Sequence, residues 1–177
     1  MVLGDTTPPL VVVMGVSGSG KTTVGISLAK QLGVEYGEAD DFHPQRNIEK
    51  MRAGHALNDE DRWPWLDAIG RWLAAHEGVG AVATCSALKR DYRDRLRAAA
   101  PDTVFLHLFG DPALLAQRMT GRTGHFMPTA LLASQLATLQ PLQPDEAGIV
   151  VDIKEPVDDI VATFVSWWAS RARKPSP

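Results

Sequence analysis

A single cysteine, Cys85, is all the thiol chemistry in this chain of 177 residues. That excludes an internal disulfide and any cysteine-based metal cluster, and it suits a reducing compartment. No stretch approaches the roughly 20 apolar residues that a membrane-spanning helix needs. Met1 to Pro9 has neither the basic start nor the apolar core of a secretory leader, so the chain is expected in the cytoplasm, away from membranes. An excess of basic charge is missing too. The formal net charge is −3, which argues against a general nucleic-acid or anionic-membrane surface, so basic residues must be located and not merely counted. Internal repeats and low-complexity blocks are absent. A serine-hydrolase reading lacks a nucleophile elbow, and a guanine-specific switch lacks its Asn-Lys-x-Asp tetrapeptide.

What is present is an ordinary globular balance, 45% hydrophobic and 22% charged, in a length that suits one domain. We place that domain at residues 10–173, between short tails, 1–9 and 174–177, whose Pro, Thr and Ser content predicts disorder. Strand-like runs at Leu10 to Met14, Val34 to Ala39, Ala81 to Cys85, Thr103 to Phe109 and Gly148 to Ile153 alternate with helical patterns. This alternation predicts an α/β fold, a five-stranded parallel sheet with helices on both faces and ligands beyond the carboxyl ends of its strands.

The first such end carries the most specific motif. Gly15, Val16, Ser17, Gly18, Ser19, Gly20, Lys21 and Thr22, with Thr23 following, form a complete G-x-x-x-x-G-K-[ST] phosphate loop between a strand and a helix. Its glycines let backbone N–H groups turn inward around phosphate oxygens. Lys21 reaches the β- and γ-phosphates, and Thr22 is placed to ligate Mg²⁺. ATP with Mg²⁺ is therefore the first expected ligand. Val24, Leu28 and Leu32 repeat at helical spacing, and Gly33 reads as the stop.

After the second strand, Asp40-Asp41-Phe42-His43-Pro44 leads into a short helix that Gly54 ends. His43, Arg46, Asn47 and Lys50 share one face of it, with Ile48 and Met51 packing on the other. Two readings stand: a cationic pocket for an anionic second substrate, with Asp40 accepting a hydroxyl proton, or a solvated face paired to Glu49 or Asp59. Asn58 caps a helix running towards Glu77, whose Arg62 is suited to holding a carboxylate bidentately. Trp63, Trp65, Leu66, Ile69, Trp72 and Leu73 are assigned to packing.

Beyond the third strand, Ser86 and Lys89 lie where substrate is expected, whereas Arg93, Arg95 and Arg97 are read as solvated or paired with Asp91 and Asp94. Cys85 reads as a small core residue. Past the fourth strand, Arg118 and Arg122 face together ahead of Gly121, Gly124 and His125. They suggest a lid, residues 118–135, that carries positive charge onto a transferring phosphoryl group. His125 reads either as a substrate ligand or as a cap; His55, His76 and His107 are read as bystanders. Ile149-Val150-Val151-Asp152 mimics a Walker B strand but lacks the following Glu and sits in the last strand.

Together these motifs resemble the thermoresistant-type gluconokinases. The resemblance is carried by the phosphate loop, Ala39-Asp40-Asp41-Phe42-His43-Pro44 with Asn47-Ile48 and Lys50-Met51, Asp61-Arg62-Trp63-Pro64-Trp65-Leu66, Cys85-Ser86-Ala87-Leu88-Lys89 with Tyr92-Arg93-Asp94, and His125-Phe126-Met127 with Leu131-Leu132 and Ser134-Gln135. It runs in order from about residue 10 to 155. It implies ATP-dependent phosphorylation of D-gluconate at the 6-hydroxyl, on a P-loop fold with a small helical lid similar to shikimate and nucleoside monophosphate kinases. It also implies a homodimer and adds Gln135 to the substrate contacts. Another small hydroxy acid, or a nucleotide-dependent switch, is the alternative. Two departures stand out. Ala39 replaces a common Gly before Asp40, and Gln140 replaces a common Glu, which removes a carboxylate and keeps Gln140 out of the expected site.

Overall fold

A computed structural model describes residues 7–120 and 129–172. Its strands are β1 (Leu10–Met14), β2 (Glu35–Gly37), β3 (Ala81–Thr84), β4 (Val104–Phe109) and β5 (Gly148–Asp152). They form one sheet in the order β2-β3-β1-β4-β5, with every pairing parallel. All five lie within or beside the runs expected from sequence. The reason is that parallel strands covered on both faces must be apolar throughout.

The strand pleat sorts side chains into two cores. Val11, Val13, Val82, Leu106 and Leu108 face a layer containing α1 (Lys21–Leu32) and α7 (Val157–Ala172). Val12, Met14, Ala83 and Phe105 face α3 (Asp59–Ala75) and α4 (Arg90–Ala99). Chain order alternates these covers with α2 (Gln45–Arg52), α5 (Pro112–Thr120) and α6 (Thr129–Thr138) near the carboxyl edge. Helix α1 stops at Gly33, which adopts φ 69° and donates its N–H back to the last turn. Helix α3 starts with a reciprocal capping box between Asn58 and Asp61. Gly70 lets α3 approach α4, since a Cβ there would stand 2.7 Å from the Ala99 Cβ.

Two sequence expectations need correction. Met51 does not pack away from the polar face of α2. It is 43% exposed, while Asn47 is fully buried, so α2 turns its amide inward and its thioether towards the cleft described below. Arg93 is neither solvated nor paired with Asp91 or Asp94. It is completely buried, with Nε 2.8 Å and Nη2 3.0 Å from the two oxygens of Glu146, whose side chain is equally inaccessible. Sequence spacing gave no sign of this, because the pair is separated by 53 positions.

That pair reaches the site through the backbone. Arg93 Nη1 also donates to the Ala87 carbonyl at 2.9 Å, and Ala87 holds φ 47°, a left-handed conformation costly for a residue with a Cβ. The guanidinium therefore over-determines the strained turn that follows β3 and carries Ser86 and Lys89. Burial opposes the charge on Glu146, but hydrogen bonds from Arg93, the Gln143 N–H and Arg97 outweigh it and lower its pKa from 4.5 to about 2.

Because the folded-state pKa is depressed, this contribution is present above pH 4.5 and is lost as pH falls through about 2. Denaturant titrations between pH 6 and 2 should show that loss, worth about 3 kcal/mol for Glu146. Arg93→Ala, which removes two charged hydrogen bonds from the buried carboxylate and leaves it Arg97 and the Gln143 N–H, should cost about 3 kcal/mol at neutral pH. A cost below about 1 kcal/mol would contradict this account of the pair.

Candidate active site

The phosphate loop follows β1 and takes its shape from glycines at positive φ: Gly15 at 149°, Gly18 at 83° and Gly20 at 88°. Those angles turn successive N–H groups into one concavity at the positive end of α1, a site built for phosphate oxygens. Lys21 lies across the loop, Nζ 3.0 Å from the Gly15 carbonyl and 3.1 Å from that of Val16. The Ser19 hydroxyl is buried without a partner among the described residues.

Opposite the loop stands the segment after β2. Its turn of 3-10 helix, Ala39–Phe42, is pinned at both faces of Ala39, whose N–H donates to Thr84 Oγ1 at 3.1 Å while its carbonyl accepts from Trp65 Nε1 at 2.7 Å. Asp40 follows immediately and is exposed to the cleft. Glu38, which sequence reading passed over, accepts from the Thr22 hydroxyl at 3.1 Å on each carboxylate oxygen. Tyr36 donates its hydroxyl to the same carboxylate. Burial and that hydrogen bond push the Tyr36 phenol up to about 12, so it remains a donor. The available signal for Glu38 was an acid two positions before Asp40, just past a strand end.

Between these walls lies a cleft of about 430 Å³, within the range of small-molecule sites. On the loop side it is lined by Ser17, Gly18, Gly20, Lys21 and Thr22. On the other side stand Glu38, Asp40, His43, Arg62 and Ser86. Gln135, from α6, closes it: the Ser17 N–H donates to Gln135 Oε1 at 2.7 Å, and Gln135 Nε2 donates to Ser17 Oγ at 3.0 Å. Helix α6 thus contacts the phosphate loop directly. His43 stacks on Trp65 with ring centroids 4.4 Å apart, and burial lowers its pKa, with Arg62 assisting and Asp40 opposing.

Other expected site residues stand back. Arg46 is exposed on α2 and does not line the cleft. Lys50 pairs with Asp61 at 2.6 Å. Lys89 pairs with Asp59 at 3.4 Å and sits 5.5 Å from the centroid of the Tyr92 ring, an arrangement that raises its pKa. Arg62 shares that cluster, with Nη1 3.3 Å from the Tyr92 hydroxyl and 3.6 Å from Asp59, but reaches the cleft. Arg118 donates to the Ile153 carbonyl at 2.8 Å and borders a second hollow of about 530 Å³, along with Thr23, Pro156 and Val157. Arg122 and His125 lie outside the described residues.

Gln140 has a structural task. Its N–H donates to the Leu88 carbonyl at 2.7 Å, and its Oε1 accepts from the Arg90 N–H at 2.8 Å, capping α4 from outside. An amide carbonyl accepts this bond as a carboxylate would. Cys85 is fully buried, which pushes its thiol up to about 12 and leaves it inert. Among the described residues no helix is long and apolar enough to cross a membrane.

Comparison with known proteins agrees with this geometry. A family model described as an AAA domain matches residues 10–142. The chain is 46% identical over 160 residues to a gluconokinase of Gluconobacter oxydans, covering 89% of this chain and 90% of that protein. It is 44% identical to the thermoresistant gluconokinase of Escherichia coli, covering 87% and 90%. The crystal structure of a gluconokinase from Sinorhizobium meliloti superposes with a TM-score of 0.84 at 46% identity, covering 94% and 96%.

The loop geometry sets a direct expectation. Gly18→Ala would put a Cβ 2.9 Å from Met119 Cγ at φ 83°. The free loop should relax to another shape that binding must reverse, at about 1–2 kcal/mol. Calorimetric affinity for a non-hydrolysable ATP analogue should fall about tenfold; unchanged affinity would contradict the cradle.

Proposed function

Because the chain belongs to the gluconokinase family of P-loop kinases, we propose that its cleft transfers the γ-phosphoryl group of ATP in line to the 6-hydroxyl of D-gluconate, giving 6-phospho-D-gluconate and ADP. The observation that carries this reading is the meeting of Asp40, His43 and Arg62 with the phosphate loop in one cleft. In phosphoryl transfer the protein chiefly positions the reactants and neutralises charge.

The loop N–H groups and Lys21 hold the phosphates. On binding, Lys21 exchanges its contacts with the Gly15 and Val16 carbonyls for phosphate oxygens. Asp40 orients the acceptor hydroxyl and takes its proton late in the transfer. Arg62 supplies the positive charge for the gluconate carboxylate, and Ser86 a hydroxyl contact. Gln135 couples the lid helix to the arrival of the terminal phosphate, because it already contacts the Ser17 N–H. Lys50 and Lys89 act through Asp61 and Asp59 in shaping the pocket. Arg122 and His125 keep the phosphate- and substrate-contacting roles that the family resemblance implies, whereas Arg46, exposed on α2, stays outside the cleft.

Thr22 and Glu38 fit a Mg²⁺ ion. The Thr22 proton is committed to the carboxylate, so its oxygen lone pairs are free to face a cation, and Glu38 adds a hard anionic oxygen. The ion, held there by these two residues, would supply charge neutralisation at the phosphates. The hollow beside Arg118 and the segment 153–157 takes the adenine. We place the enzyme, one domain over residues 10–173, in the cytoplasm and away from nucleic acid. We assign it as a homodimer: Phe109 and Val150 lie 46% and 50% exposed on one face of neighbouring strands. Sedimentation equilibrium should return twice the chain mass of 19.2 kDa; a single chain mass would contradict the dimer.

In a coupled ADP assay with gluconate, Asp40→Asn should lower kcat by about 10²- to 10⁴-fold with little change in KM. Arg62→Ala should instead raise KM for gluconate about 10- to 100-fold, the loss of a charge-assisted hydrogen bond. Near-normal turnover by Asp40→Asn, or faster turnover of shikimate than of gluconate, would overturn the assignment.

A further inference from the structure

The buried amide of Asn47 does more than fill α2. Its Nδ2 lies 2.8 Å from the Asp61 carbonyl and 3.3 Å from His43 Nδ1. A peptide carbonyl can only accept, so the atom facing it must be the NH₂ group and not the amide oxygen. The second hydrogen of that NH₂ is then the one directed at His43, and Nδ1 has to accept it. A ring protonated on Nδ1 would set two donors against each other in the protein interior. The carbonyl side of Asn47 adds a second clue, since Oδ1 is buried without a partner among the described residues. An orphaned acceptor is costly, about 1–3 kcal/mol, and an apolar side chain would avoid it. What the amide supplies in return is its pair of donors.

The surroundings lock the arrangement. Asp61 is held in place by its capping box with Asn58 and by Lys50 at 2.6 Å. The His43 ring lies flat on Trp65, tilted by 9°, and Trp65 is tied to the Ala39 carbonyl. Nε2, the other ring nitrogen, has no hydrogen bond to a described residue, while His43 itself lines the cleft beside Asp40 and Arg62.

We propose that Asn47 is a positioning residue that holds His43 as the neutral tautomer protonated on Nε2, so that the ring donates a hydrogen bond to an oxygen of the sugar acid and leaves the role of base to Asp40. This deepens the functional reading above and rests on it for the identity of the ligand. Its effect is a division of labour. Two neighbouring groups that each have an ordinary claim to the hydroxyl proton are made unlike, one a fixed donor and the other a fixed acceptor.

Nitrogen-15 NMR on the full chain labelled at its five histidines reads the tautomer without any variant. His43, assigned by loss of its signals in His43→Gln, should show an unprotonated Nδ1 and a protonated Nε2 at pH 7, and gluconate should shift Nε2. Asn47→Leu should release the tautomer preference and raise KM for gluconate about tenfold with a smaller change in kcat. Asn47→Asp, which offers Nδ1 an acceptor, should move the proton onto Nδ1. A wild-type ring protonated on Nδ1 would overturn the proposal, as would an Asn47→Leu enzyme with normal KM or a gluconate-insensitive Nε2 in an enzyme that turns gluconate over. Failure of the wild-type chain to phosphorylate gluconate is read separately in the coupled assay and would overturn the functional reading and the donor role together, leaving the tautomer assignment of the free chain standing.

Discussion

Parallel pairing of β1 with β3, and of β3 with β2, is the constraint on which the site depends. Three strands that run the same way deliver three loops to the same edge. The loop after β1 is the phosphate cradle, the loop after β2 carries Glu38 and Asp40, and the loop after β3 carries Ser86. A reversed strand would send one of these to the far side of the sheet. The backbone ties them further, through the Gly15 N–H to the Ser86 carbonyl and the Ala39 N–H to Thr84 Oγ1. The cleft is thus a consequence of register as much as of residue choice.

Charge is distributed around this edge in layers. Lys50, Lys89 and Arg93 are each engaged by a carboxylate on a neighbouring element, Asp61, Asp59 and Glu146 respectively. These pairs fix the positions of α2, α3, α4 and the strained turn at Ala87. Arg62, by contrast, both joins the Asp59 cluster and lines the cleft. A basic face read as one binding surface is therefore mostly scaffold, with binding concentrated at its inner margin.

The fold was legible because its signals are local. Apolar runs, the glycine loop, the stop at Gly33 and the cap at Asn58 each depend on a few consecutive residues, and all correspond to observed elements. Asp40, His43 and Ser86 stood out because they fall just past strand ends in a sheet whose carboxyl edge was expected to bind ligand, and Arg62 because a guanidinium suits a carboxylate; all four line the cleft. What could not be read was long-range pairing. Arg93 resembled Arg95 and Arg97 in sequence until the fold brought Glu146 to it. Glu38 gained meaning only when α1 set Thr22 against it, and Asn47 looked like a member of a polar face until burial separated it from Arg46. Periodicity assigns faces. It does not say which polar residue on a face is turned inward.

The central claim is that the acid of the β2 loop and the glycine cradle of the β1 loop address the same two reactants. A crystal structure with gluconate and a non-hydrolysable ATP analogue tests it most directly. The account predicts the 6-oxygen of gluconate between the Asp40 carboxylate and the γ-phosphate, with the sugar carboxylate towards Arg62. Gluconate bound outside that cleft, or bound with Asp40 turned away from its terminal hydroxyl, would contradict it.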